Sequence, residues 1–184
     1  QPGVTEHERT KLETELKMLK QKHKDIYIQV YEEKEIAYSD QTGKFPTTSS
    51  RGNKYLMVLY YMDGSYIMME PMKSKHENEM IRVHGVLMER LKQQGFEPKK
   101  QILDNEISAE YKKAIKKYNM THERVPKDAH RRNAAEKAIQ TAKSHIKSII
   151  AGCDPSFPMH LWCRLLPQAE LTCNLLRPAN ANPN

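Results

Sequence analysis

Three acids of this 184-residue chain, Asp40, Asp104 and Glu136, have the chemistry to hold metal ions if folding brings them together. Asp40 lies in the alternating stretch "EIAYSD", where Ile36, Tyr38 and Asp40 share one face. Asp104 ends the apolar run "QILD", and Glu136 opens a helical pattern. Three clustered carboxylates repel one another and cannot all stay ionised without a cation. Hard oxygen ligands select Mg²⁺ or Mn²⁺. Two such ions about 4 Å apart clamp the attacking and leaving oxygens of a phosphodiester. Asp25, Asp63, Asp128 and Asp154 are poorer candidates, and Asp63 already has a conformational reason to occupy a turn. Glu106, two residues past Asp104, is a lesser alternative that suits a cap or rim position.

The helix that carries Glu136 has two distinct faces. With Glu136 at zero and steps of about 100°, Gln140 falls near 40°, Lys143 near −20° and Lys147 near 20°. Ala135, Ile139, Ala142, Ile146, Ile149 and Ile150 fall between about −140° and −40° by the same rule. An aliphatic stripe therefore runs beside a stripe of one acid, one amide and two lysines, and His130, Arg131 and Arg132 stand just ahead. A solvated polar face accounts for this helix taken alone, with Glu136 as a charge-pair partner. The three acids read together favour a site.

The elements that must position these residues follow from periodicity. "DIYIQVY" and "EIAYSDQTGKFP" read as extended, and "KFPTTSSRGNK" as a polar loop. "YLMVLYYMDGSYIMMEPM" reads as a hairpin turning at Asp63-Gly64. A helix is expected over 76–94, with Met80, Val83 or His84, Leu87 and Leu91 inward and Gly95 as its cap. A strand over 99–104, a helix over 107–118, a short strand at "THERVP" and a helix over 131–151 follow. Pro167 divides a last helical region. The order predicts an α/β fold, a mixed sheet covered by helices on its faces. Residues 1–24 read as a charged tether or marginal helix, 25–178 as the core and 179–184 as a tail, and both ends are expected to be cuts in a longer chain.

The net charge of +7 suits a polyanionic partner. Three cysteines, ten residues apart, fit neither a disulfide framework nor a zinc site, and suggest a reducing compartment. No run of 18 apolar residues exists, so no membrane-spanning helix and no membrane partner is expected.

The stretches "YSDQTGKFPTTSSRGNKYLMVLYYMDGSYIMMEPMKSK", "ILDNEIS", "HRRNAAEKAIQTAKSHI" and "FPMHLWCRLLPQAELTCNLLRP" together resemble the integrase core of long-terminal-repeat retrotransposons. The resemblance implies a ribonuclease H-like fold with a mixed five-stranded sheet flanked by helices. It implies that Asp40, Asp104 and Glu136 are the Asp-Asp-Glu metal ligands, with Mg²⁺ or Mn²⁺ as cofactor. It implies polynucleotidyl transfer: water trims the element's DNA ends, and the 3′ hydroxyls are then joined to target DNA. It further implies DNA contacts by Arg131, Arg132, Gln140, Lys143 and Lys147, a homodimer or higher multimer, and a nuclear location. The interval between Asp104 and Glu136 is shorter than the family's, and that between Asp40 and Asp104 is wider, with the "KFPTTSSRGNK" insertion supplying the excess.

Two other functions fit the same residues: a nuclease of this fold that hydrolyses without joining, and a decayed nucleic-acid-binding or assembly domain. For multimers, the surface expected to take part is the apolar surplus of the last helices, Leu161, Trp162, Leu165, Leu166, Leu171, Leu175 and Leu176. Completion of the monomer's own core is the alternative use of these residues.

Overall fold

A computed structural model describes residues 14–15, 34–103, 107–124 and 130–176, the side chains of 124 and 130–134 excepted. The expected strand over 25–31, the tail over 179–184, Asp104, Glu106 and the side chains of Arg131 and Arg132 thus lie outside the described residues. Contacts divide the chain into two units, Gln1–Glu33 and Lys34–Asn184. In the first, Thr14 and Glu15 are helical. The second holds every other described residue.

In chain order its elements are β1 (Ile36–Gln41), β2 (Tyr55–Tyr61), β3 (Tyr66–Met72), α1 (Glu77–Gln93), β4 (Lys100–Leu103), α2 (Ala109–Lys117), β5 (Thr121–Arg124) and α3 (His130–Ala151). A 3₁₀ helix (Met159–Arg164) and α4 (Leu166–Leu175) complete it. The strands form one sheet in the order β3-β2-β1-β4-β5. β1, β2 and β3 pair antiparallel, whereas β4 and β5 join β1 in parallel. The mixed sheet covered by helices is therefore the observed architecture.

Alternation along the strands divides the core in two. Ile36, Tyr38, Val58, Met69 and Ile102 meet Ala135, Ile139, Ala142 and Ile146 of α3 together with Trp162, Leu166 and Cys173. Ala37, Met57, Leu59, Met68 and Leu103 meet Val83, Leu87 and Leu91 of α1 and Tyr111 and Ile115 of α2. α3 has its aliphatic stripe inward as the helical wheel requires, with Ile149 and Ile150 only half-buried at its end. The helix over 77–93 buries Val83, His84, Leu87, Met88 and Leu91, while Met80 stays half-exposed. Cys163 and Cys173 are buried thiols, as small core side chains should be, and Cys153 is half-buried.

Two glycines carry structural work. Gly95 has φ +81° and donates its N–H to the Lys92 carbonyl at 3.0 Å, while the Phe96 N–H reaches the Leu91 carbonyl at 3.0 Å. This is a Schellman closure of α1, and the left-handed conformation favours glycine. The hairpin at Asp63-Gly64 forms as expected, but the left-handed residue is Ser65, at φ 48°. Gly64 is needed instead for space: a Cβ there would lie 3.2 Å from the Phe96 ring and 3.3 Å from that of Tyr61. The Asp63 carboxylate accepts a hydrogen bond from the Glu35 N–H, which fixes the entry into β1.

Candidate active site

β1 and β4 run parallel, and their carboxyl ends lie side by side, with Ser39 opposite Leu103. In parallel arrangements the ligand crevice opens at this end of the strands. α3 crosses the same end, and a cleft of about 460 Å³ opens between it and the sheet. Tyr38, Ser39 and Asp40 of β1 and Ile102 of β4 form one wall. Ala135, Glu136, Ile139, Gln140, Lys143, Ser144 and Lys147 of α3 form the other. Five of the eight residues singled out in the sequence, Asp40, Glu136, Gln140, Lys143 and Lys147, are thus brought to one cleft.

The local geometry at Asp40 is that of a carboxylate held by one cation and one backbone N–H. The Lys143 ammonium donates to Asp40 Oδ2 at 2.5 Å and to the Gln41 carbonyl at 3.0 Å. The Gln41 N–H donates to Asp40 Oδ1 at 2.6 Å. Side-chain exposure is 40% for Asp40 and 22% for Lys143, so this pair lies at the mouth of the cleft in partial contact with solvent. Glu136 is exposed, one turn before Gln140 and two before Lys143 on the same helical stripe. Burial of the aliphatic stripe of α3 leaves this polar stripe nowhere to face but the cleft and solvent.

The donor set suits a hard cation. Two carboxylates from separate elements line the cleft, and a cation, the Lys143 ammonium, already sits on one of them. Among the described residues no group of three or more His, Cys, Asp or Glu side chains gathers around one point. Asp104, the second acid of the trio, lies outside those residues.

Behind the cleft runs a polar chain that sequence reasoning did not single out. The Ser39 hydroxyl accepts from Gln101 Nε2 at 3.0 Å, and Gln101 Oε1 accepts from His84 Nε2 at 2.6 Å. Gln101 is fully buried and His84 nearly so. This tie crosses from β1 through β4 to α1 and so fixes β1 and β4 next to each other, one residue from Asp40. Burial pushes the His84 imidazole below its ordinary value, against the smaller opposing effect of the Gln101 bond. The signal in the sequence is a glutamine inside the short apolar strand "KQIL". Ser144, also missed, sits one residue past Lys143 and only about 80° from Glu136 around the helix.

No protein-family model and no curated protein matches the sequence. The fold has close counterparts among solved structures. The catalytic core domain of BIV integrase superposes with a TM-score of 0.59 over 79% of this chain and 86% of its own, at 13% identity. A chain of the simian T-cell lymphotropic virus intasome, solved with the PP2A regulatory subunit B56 gamma, superposes with a TM-score of 0.57 at 19% identity. That match covers 77% of this chain and 49% of the viral one, so this chain spans about half its length. With its five-stranded sheet in the order β3-β2-β1-β4-β5 and its flanking helices, the chain has the ribonuclease H-like fold of retroviral integrase catalytic cores.

Proposed function

We propose that this chain is the catalytic core of a retroelement integrase, a divalent-metal-dependent polynucleotidyl transferase acting on DNA. The observation that carries the reading is the convergence of Asp40 from β1 and Glu136 from α3 on one cleft beside Gln140, Lys143 and Lys147. Asp40, Asp104 and Glu136 would hold Mg²⁺ or Mn²⁺. The reading requires Asp104 to stand beside Asp40, and the parallel register of β1 and β4 ends one residue short of that pairing, at Ser39 and Leu103. Ile102 of β4 lines the cleft.

The ions would activate an attacking hydroxyl and stabilise the leaving oxygen of a phosphodiester. The protein's own groups do the rest. Lys143 and Lys147 neutralise backbone phosphates, and Gln140 supplies an amide to the DNA end. Arg131 and Arg132 extend the same contact ahead of Glu136. Phosphate contacts of this kind position DNA without reading its sequence. In the first step water trims the element's ends, and in the second the 3′ hydroxyls attack target DNA; a nuclear location belongs to the same proposal. The exposed Leu171, Leu175 and Leu176 support self-association, while Trp162 and Leu166 serve the monomer's own core.

The test is an assay of purified protein with an element-end duplex, a target duplex and Mg²⁺ or Mn²⁺. Joined products that vanish in Asp104→Asn support the reading. Shortened ends without joining point to a nuclease. Undiminished joining by Asp104→Asn removes the metal-site assignment.

A further inference from the structure

The connection between β1 and β2 is longer than the pairing needs. Antiparallel neighbours can be joined by two residues, and here the loop runs over 42–54. Loops of this length without secondary structure are uncommon in compact domains unless they have a function. This one is also fixed. The Thr42 N–H bonds to the Leu56 carbonyl and the Phe45 N–H to the Lys54 carbonyl, both at 2.8 Å, so its two limbs continue the ladder. The tip is closed by Ser49, which is buried, and whose hydroxyl accepts from the Asn53 N–H at 2.9 Å.

The loop is then clamped to the 3₁₀ helix. The Phe45 ring stacks on Trp162 of the 3₁₀ helix, centroids 4.1 Å apart and planes 2° from parallel. Trp162 Nε1 donates to the Thr47 carbonyl at 2.9 Å, and the Ser50 N–H donates to the His160 carbonyl at 2.7 Å. Phe45 alone would serve to cover the core. It does not account for the charge. No acid occurs between Asp40 and Asp63, and the loop carries Lys44, Arg51 and Lys54. All three are exposed, and none of them forms an ion pair among the described residues. The loop leaves β1 at Gln41, whose carbonyl is bonded to Lys143 in the cleft.

We infer that this loop is a second, preformed DNA-backbone contact, taking the phosphates of a duplex that extends out of the cleft. The inference rests on the integrase reading of the cleft. A rigid cationic ridge loses little conformational entropy on binding, which favours contact over a mobile lysine loop of equal charge. Hydroxyls of Thr47, Thr48 and Ser50 on the same ridge add donors suited to phosphate oxygens.

The experiment measures duplex DNA binding by fluorescence anisotropy across a salt series, with EDTA present so that no chemistry intervenes. It compares wild type, the triple variant Lys44→Ala/Arg51→Ala/Lys54→Ala, and a charge-matched control, Lys92→Ala/Lys116→Ala/Lys117→Ala, at the carboxyl ends of α1 and α2. The loop variant is expected to flatten the slope of log K against log salt by about 2 to 3, since each lost phosphate contact removes roughly 0.9. The control is expected to keep the wild-type slope. A loop variant with the wild-type slope, or an equal loss in both variants, overturns the loop assignment alone. Wild-type protein that binds no duplex overturns the cleft reading and the loop with it.

Discussion

Lys143 occupies two roles that pull in opposite directions. Its ammonium sits on Asp40, where a divalent ion would bind, and it lies on the stripe that would meet DNA phosphates. Lys143→Ala should therefore tighten Mn²⁺ binding, by removing a competing cation, while flattening the salt dependence of DNA binding by about 1. Calorimetry and anisotropy on the same preparation check both directions. Looser Mn²⁺ binding in the variant would show that Lys143 supports rather than competes for the carboxylate. His84 makes a second residue-level prediction. Its folded-state pKa is depressed, so its stabilising contribution is present above the unfolded value of about 6.5 and is lost as pH falls towards the folded one. Urea unfolding should show stability falling below about pH 6.5, by at most about 1.4 kcal/mol per pH unit from this group. His84→Gln should lessen that slope, and an unchanged slope would place the acid sensitivity elsewhere.

At the scale of elements, β3 is an edge strand whose outward backbone is sealed by side chains. Asn174 of α4 bonds to both the Ile67 N–H and the Ile67 carbonyl, each at 2.8 Å. Glu170, one turn earlier, accepts from the Met69 N–H at 2.8 Å, and its other oxygen takes Arg90. Arg90 also reaches the Met69 carbonyl and Arg82 the Pro71 carbonyl, at 3.4 and 3.2 Å. Pro71 has no N–H to leave open. An unsealed edge is a template for another chain's strand. Asn174→Ala should cost about 1 to 3 kcal/mol through two unsatisfied backbone groups and should promote self-association, read by urea unfolding and sedimentation. A stable, monodisperse variant would show that water replaces the amide. None of this was legible in the sequence: Glu170 and Asn174 read as polar residues of a terminal helix, because a side chain paired to another element's backbone leaves no period. α1, α2, α3 and the hairpin were legible, because each repeats its apolar residues at its own period. Gly95 was read for the right reason and Gly64 for the wrong one, since close packing against Phe96 has no local signature.

At the scale of the molecule, the mixed sheet followed from the order of elements, but the insertion of β4 between β1 and β5 did not. Strand order is a property of non-local pairing, and "KQIL" carries nothing that names its neighbours. Glu136, Gln140, Lys143 and Lys147 follow from the helical period, Ser144 does not, and the meeting of this stripe with Asp40 depends on the fold. Part of the chain's basic excess lies at the cleft: Lys143 and Lys147 line it, and the acid-free loop leaves from its edge. The monomer's own core takes up only part of the apolar surplus at the chain's last helices. Trp162 and Leu166 are buried, whereas Leu175 and Leu176 are 75% and 77% exposed. Leu171→Glu/Leu175→Glu should leave thermal stability nearly unchanged and shift light scattering from a multimer to a monomer. A wild-type protein already monomeric at high concentration would remove that assignment.

The proposed chemistry depends most on acids from different elements sharing divalent ions. Mn²⁺ titrated calorimetrically into the wild-type protein with an element-end duplex present tests this directly, beside Asp40→Asn and Glu136→Gln. Saturable binding in the wild type that is lost or weakened at least tenfold in both variants is the predicted result. Variants that bind Mn²⁺ as the wild type does, or a wild type that binds none, would contradict the account.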